Sequence, residues 1–229
     1  MVYLNIIALI FLGIMFFAQL LAASWYDLVK KTGDKKRAFK HKIICSLIYV
    51  ATVLLCTAIG KGFSNVFTSF FLIAIFLFFL HDILEDKKAK ACKSISALLS
   101  SLAYIILAVA MYQKNAELFS FMPLSATLQW VIPSVVTAAC VIFAVKLPQT
   151  SSAIASIYMA VNAGLLAYKL QNGEPGLYQA ASCAVTLGAI ALLISSIIPV
   201  FDKSDNKALL RTNAYYFGLM FISCSVAVL

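Results

Sequence analysis

Long apolar segments alternate with short polar segments along the whole chain. The apolar segments are 2–24, 43–60, 66–86, 94–112, 127–145, 152–168, 177–200 and 214–229. An α-helix rises about 1.5 Å per residue, so about 20 apolar residues cross the roughly 30 Å hydrocarbon core of a bilayer. The pattern therefore predicts an all-α, polytopic membrane helix bundle of about eight transmembrane helices, in a single integral membrane domain covering residues 1–229.

Composition supports a membrane protein and argues against a nucleic-acid partner. Hydrophobic residues make up 63% of the chain and charged residues only 12%, with a mean hydropathy of +0.96. Soluble domains average about 25% charged residues. The net charge of +9 does not form a nucleic-acid-binding patch, because the cations lie in short segments between apolar ones.

Positive charge is concentrated in every second polar segment. Loops one, three, five and seven, with the adjoining helix ends, hold 15 of the 18 Lys and Arg residues. The most basic of these segments, 25–42, is interpreted as a loop, and its Thr32-Gly33-Asp34 sequence is a turn signal. By the positive-inside rule, we expect a multi-pass plasma-membrane protein with cytoplasmic basic loops and both termini outside.

The two halves of the chain share a faint pattern. Each half has four predicted helices, and Ala103-Tyr104 in the first half has a counterpart in Ala214-Tyr215 in the second. This favours an internal repeat of 1–112 and 127–229, of the parallel kind whose axis lies along the membrane normal.

A carboxylate follows the continuous apolar stretch Phe70 to Leu80, in the pair His81-Asp82. Asp82 lies about 24 Å along the helix from Val66, within the hydrocarbon core. A carboxylate at that depth marks a functional site by default. Ser196 lies at a similar depth in helix seven, so we expect it to face Asp82 across the bundle. The alternative is that His81-Asp82 simply begins the polar loop.

Four short motifs occur in order between helix three and the C-terminus. They are LHDIL at 80–84, LLSSLAYI at 98–105, LGAIALLISSIIPVFDK at 187–203 and AYYFGL at 214–219. Together they resemble the YhhN-like lysoplasmalogenase family of eight-helix membrane proteins. The family counterparts are an L-G-D-hydrophobic motif, a stretch ending H-x-x-Y, an L-G-A-(apolar)-S-D segment and Y-Y-x-A-Q.

The chain departs from the family pattern at several positions, as a divergent member would. The Gly before the first Asp is His81 here, and the helix-four His falls on Ser101. The helix-seven Asp falls on Ser196 and the helix-eight Gln on Leu219. The retained positions are Asp82, Tyr104, Ser195, Tyr215 and Tyr216.

The resemblance implies a lipid hydrolase that cleaves the vinyl ether of lysoplasmalogens to a fatty aldehyde and a glycerophospho-alcohol. Such chemistry needs a general acid and an anionic group that stabilises the oxocarbenium ion. The implied catalytic residues are Asp82, His81 and Ser196. The implied substrate-binding residues are Tyr104, Ser101, Ser195, Tyr215 and Tyr216. The expected partner is a membrane lipid or lysolipid.

Two other functions stay open. A catalytically lapsed family member would bind lipid or a partner protein without turnover. A transporter is a third possibility, although the broken mid-span helices typical of transporters are lacking. The sequence shows no nucleotide motif and no metal-ligand spacing, so we expect neither a cofactor nor a metal.

Overall fold

The computed structural model describes residues 2–59, 66–87, 89–119, 126–172, 177–201 and 208–226. Within these ranges the chain is helical and contains no strand. The helices are α1 (Val2–Lys31), α2 (Lys35–Ile59), α3 (Val66–Glu85), α4 (Lys90–Phe119), α5 (Ala126–Lys146), α6 (Pro148–Gln171), α7 (Leu177–Phe201) and α8 (Ala208–Val226). This confirms the predicted all-α membrane bundle of eight helices.

Helix length and composition agree with a multi-pass membrane protein. Among the described residues, six helices are long and apolar enough to cross a membrane: α1, α2, α3, α4, α6 and α7. Helix α5 contributes a shorter apolar segment, Val131–Lys146. Large apolar side chains such as Phe76, Ile142 and Leu187 are exposed on the outside of the bundle, as expected where lipid is the solvent.

The basic segment 25–42 is largely helical, so its prediction as a loop is wrong. Helix α1 continues to Lys31 and α2 begins at Lys35. Lys and Arg are good helix formers, and beyond the hydrocarbon core their side chains are solvated, so a helix need not end where its apolar residues end. Helices α4 and α8 likewise begin before their predicted apolar segments.

The turn between α1 and α2 forms at the predicted Thr-Gly-Asp. Gly33 has φ of 80°, a left-handed conformation that glycine adopts without steric cost. The Thr32 hydroxyl donates to the Val29 carbonyl at 2.7 Å, and the Asp34 carboxylate accepts from the Arg37 backbone N–H at 3.0 Å. Asp34 therefore caps α2, and this tight turn brings the basic ends of both helices together.

Six helices form the inner bundle. Helices α2, α3, α4, α6, α7 and α8 pack in a closed ring, each against the next. Helix α1 packs outside this ring on α2 and α8, and α5 packs outside it on α4 and α6. If α1–α4 are exchanged in order with α5–α8, each pair of contacting helices is replaced by another pair that is also in contact. The contact of α1 with α2, for example, becomes the contact of α5 with α6. A parallel two-fold repeat has this property; the repeat boundaries 1–112 and 127–229 stay a prediction.

Glycines bring α7 and α8 close together. A Cβ at Gly188 would lie 2.9 Å from the Ile222 backbone nitrogen and 3.0 Å from the Gly218 carbonyl oxygen. A Cβ at Gly218 would lie 2.9 Å from the Leu192 backbone nitrogen. Small residues at such crossings allow the close packing that stabilises helix pairs in membranes.

We expect Gly188→Ala to destabilise the protein, because the added methyl group meets backbone atoms of α8 and forces the helices apart. Overpacking of this kind costs about 1–3 kcal/mol. For a chain of this size that lowers Tm by about 5 °C, measured by thermal unfolding in detergent. Gly164→Ala is the matched control, since a Cβ there meets no atom within 4 Å. Equal Tm values for the two variants would contradict the close packing.

Candidate functional site

A polar cavity lies at one end of the bundle. It has a volume of about 280 Å³ and is lined by residues near the ends of α1, α3 and α7 and near the beginnings of α2, α4, α6 and α8. Because the helices alternate in direction, this is the end at which the first and third interhelical connections lie. The lining combines charged, hydroxyl and aromatic side chains, in contrast to the apolar exterior.

The cavity brings together seven of the eight residues singled out from the sequence: His81, Asp82, Tyr104, Ser195, Ser196, Tyr215 and Tyr216. Ser101 does not line it. The Ser101 hydroxyl donates to the Ala97 carbonyl at 2.7 Å and lies 2.8 Å from the Ser151 hydroxyl, so its side chain joins α4 to α6 instead. Asp82 and Ser196 do share one cavity, as their similar depths predict.

Asp82 is a buried carboxylate with one unsatisfied oxygen. It lies within α3 and is 1% exposed, so it does not begin a polar loop. The hydroxyls of Ser46 and Tyr49 on α2 donate to its Oδ2, at 2.6 and 3.2 Å. Its buried Oδ1 has no hydrogen-bond partner among the described residues. A buried polar atom without a partner is costly, and in a lined cavity it is available to a substrate or a water.

A network of charges lies beside Asp82, at residues that the sequence reasoning missed. The Lys42 ammonium donates to Glu85 Oε2 at 2.7 Å and lies 3.4 Å from Asp86 Oδ2. The Arg211 guanidinium donates to Glu85 Oε1 at 2.5 Å. Glu85 thus joins α2, α3 and α8. The sequence held one signal for it, since Asp82 and Glu85 are three residues apart and share a helix face.

His81 has partners other than Asp82. Its Nδ1 lies 3.0 Å from the Ser96 carbonyl oxygen and 2.7 Å from the Ser96 hydroxyl, and its Nε2 lies 3.9 Å from Glu85 Oε2. His81 therefore fixes α3 against α4 and also lines the cavity.

His81, Asp82 and Glu85 also have the arrangement of a possible metal site. One ligand atom from each lies within 4.8 Å of the others. A ligating His commonly donates its second N–H to a carbonyl, and His81 Nδ1 lies 3.0 Å from the Ser96 carbonyl oxygen. However, both oxygens of Glu85 already bind cations, Lys42 and Arg211. Their positive charge opposes a divalent ion at this point, so we derive no metal chemistry from the cluster.

A pair of hydroxyls joins α6 to α7, whereas a hydroxyl and a carboxylate join α2 to α3. The Ser196 hydroxyl on α7 lies 2.5 Å from that of Ser156 on α6. The α2–α3 pair, Ser46 and Asp82, has the same arrangement at 2.6 Å. Exchanging the halves helix by helix places α7, which carries Ser196, on α3, which carries Asp82. The cavity therefore contains the Asp82 carboxylate on α3 and the Ser196 hydroxyl on α7.

Tyrosine rings form part of the cavity wall. The ring of Tyr215 lies 5.1 Å from that of Tyr216, and Tyr104 packs on Phe78 at 4.9 Å. The buried Tyr216 hydroxyl has no hydrogen-bond partner among the described residues. Like Asp82 Oδ1, it is a polar group available to a ligand.

Comparisons with protein-family models, with curated proteins and with solved structures found no match for this chain. The family resemblance therefore stays an expectation from the sequence motifs.

We expect Glu85→Gln to destabilise the protein more than Asp86→Asn does. Glu85 neutralises buried Lys42 and also Arg211, whereas Asp86 is a more distant partner of Lys42 alone. Removing one partner of a fully buried pair costs about 3–5 kcal/mol. Because the Glu85 side chain is 31% exposed, we expect the free energy of unfolding to fall by about 2 kcal/mol. This lowers Tm by about 5 °C. Similar Tm values for both variants would show that Glu85 does not hold the network together.

Proposed function

We propose that this protein is a membrane-embedded lipid hydrolase resembling lysoplasmalogenase, which cleaves the vinyl ether of a lysolipid. The observation that carries the proposal is the unsatisfied, buried Asp82 carboxylate in a polar cavity within an apolar bundle. A group of this kind is costly to maintain in a membrane protein, and such groups are typical of functional sites. The order of the sequence motifs supports the same function.

In the proposed reaction, neutral Asp82 donates its proton to the β-carbon of the vinyl ether. The α-carbon and ether oxygen then share a positive charge as an oxocarbenium ion, which the resulting Asp82 carboxylate stabilises. Water adds to the α-carbon, and its proton returns to Asp82. The hemiacetal then breaks at its bond to the glycerol oxygen, releasing a fatty aldehyde and the glycerophospho-alcohol. One carboxylate thus serves first as acid and then as base.

The neighbouring groups have supporting roles in this proposal. Ser46 and Tyr49 hold Oδ2 of Asp82, which leaves Oδ1 to face the substrate. The Tyr216 hydroxyl and Ser196 lie in the same cavity and would position the attacking water. Because His81 binds Ser96 and neighbours Glu85, we assign the transferred proton to Asp82 and a positioning role to His81.

One observation favours the catalytically lapsed alternative. Ser196 stands where the family pattern has its second carboxylate, and its hydroxyl is already bonded to Ser156. A protein that had lost activity in this way would retain the cavity and bind a lipid without cleaving it.

We also propose an orientation in the plasma membrane with the cavity end in the cytoplasm. The ends of α1, α2, α4 and α8 that surround the cavity carry most of the basic residues of the chain. The positive-inside rule places such ends on the cytoplasmic side. The cavity would then receive lysolipid from the inner leaflet.

Asp82→Asn should abolish vinyl-ether cleavage, because Asn keeps the shape of the side chain but can neither donate this proton nor carry the charge. General acid–base catalysis contributes about 10²–10⁴-fold. The measurement is aldehyde release from a 1-alkenyl lysophospholipid by purified protein in mixed micelles. Ser101→Ala serves as the control, since Ser101 is near in sequence to the site but does not line the cavity. An active wild type with an equally active Asp82→Asn variant would refute the mechanism.

Ser196→Asp should raise cleavage or create it, because it adds a second carboxylate opposite Asp82. The same aldehyde assay measures it. Activity gained from an inactive wild type would identify a lapsed enzyme. Wild type and variant both without activity toward 1-alkenyl lysolipids would contradict the hydrolase proposal.

A further inference from the structure

The charges that line the cavity do not balance. Four cations line it, Lys30, Lys42, Lys93 and Arg211, against two carboxylates, Asp82 and Glu85. Both oxygens of Glu85 bind cations, and Asp82 lies deep in the cavity. Among the described lining residues the cationic excess is therefore two charges with Asp82 ionised and three with Asp82 neutral, the form that the proposed reaction uses. A ligand that fills the cavity gains by carrying negative charge.

The excess lies at the mouth of the cavity. Lys30 is exposed in the last turn of α1, and Lys93 is exposed in the first turn of α4. The Lys30 ammonium lies 5.6 Å above the ring of Tyr26, a contact that holds it toward the cavity that Tyr26 also lines. Neither lysine forms an ion pair with a carboxylate among the described residues.

Arg211 connects the mouth to the interior. One of its nitrogens donates to Glu85, and its side chain is 40% exposed. A guanidinium has five N–H donors in one plane, so the bond to Glu85 orients the group and leaves further donors for a second anion. This planar set of donors matches the oxygens of a phosphate.

We propose that Lys30, Lys93 and Arg211 form a binding site for the phosphate of a lipid head group that carries net negative charge. The inference rests on the proposed function, since it concerns the head group of the same lysolipid. A zwitterionic head group suits the mouth less well, because Lys30 and Lys93 repel its cationic group. The carboxylates near the mouth, Glu85 and Asp86, are already partnered by Lys42 and Arg211.

The test measures binding, so that it is independent of turnover. Full-length protein in uncharged detergent is titrated with lysophosphatidylglycerol, which is anionic, and with lysophosphatidylcholine of the same acyl chain, which is zwitterionic. Inorganic phosphate and glycerol 3-phosphate are titrated separately. We expect the anionic lysolipid to bind about tenfold more tightly than the zwitterionic one, a preference that weakens at high salt.

The double variant Lys30→Gln/Lys93→Gln should lose most of this preference. Its matched control is Lys35→Gln/Lys36→Gln, which removes the same charge from two exposed lysines of α2 that do not line the cavity. An equal loss in the control would show attraction by the basic surface as a whole and would overturn the site. Arg211→Lys, which keeps the charge but not the planar donors, should weaken binding of both lysolipids.

Other outcomes are equally decisive. Equal affinity for the two lysolipids would refute the preference for an anionic head group. Glycerol 3-phosphate or phosphate binding as tightly as the anionic lysolipid would assign the site to a soluble ligand and overturn the lipid source. Selective lysolipid binding without any cleavage of 1-alkenyl lysolipids would leave the head-group site standing while the hydrolase proposal fails.

Discussion

The pairing of Lys42, Glu85 and Arg211 is the interaction on which the polar end of this bundle depends. Charges buried near a membrane are stable only when they are paired and hydrogen-bonded. Glu85 meets this requirement for two cations at once, at 2.7 and 2.5 Å, and so fixes α2, α3 and α8 around one point. Asp82, one helical turn away on α3, lies in the environment that this network creates. Its carboxylate is held by hydroxyls rather than by a cation, and its second oxygen has no hydrogen-bond partner among the described residues.

Helices α4, α6 and α7 are joined by neutral hydroxyl groups instead of charges. Serine pairs join α4 to α6 and α6 to α7, at Ser100 and Ser152, at Ser101 and Ser151, and at Ser156 and Ser196. Hydrogen bonds between helices of this kind contribute about 1 kcal/mol each in a bilayer. The serines that line the cavity, Ser96, Ser100, Ser152, Ser195 and Ser196, lie on α4, α6 and α7. Its charged residues other than Lys93 lie on α1, α2, α3 and α8, although the helix contacts of the two halves correspond. A mechanism that needs one carboxylate would use this asymmetry. An enzyme that had lost the second of two carboxylates would retain it.

The polar groups of the cavity also differ in depth. Asp82 and Tyr216 are buried, while the cations of Lys30 and Lys93 lie at the mouth. A lysolipid has the same order of parts, with the ether bond next to the glycerol and the phosphate at its end. A head group held at the mouth would leave the ether bond to reach the interior, where water is limited and electrostatic interactions are stronger.

The sequence by itself determined the helix bundle, because the length of an apolar segment follows directly from the thickness of the hydrocarbon core. It also located Asp82, since depth along a helix is a matter of counting residues. It did not determine which faces of the helices meet. Neighbouring positions on a helix point about 100° apart, so Ser100 lines the cavity while Ser101 turns toward Ser151. The ion pairs of Glu85 join residues 43 and 126 positions apart. Only the tertiary structure fixes such pairs, because helix rotation and order around the ring are set by packing between helices.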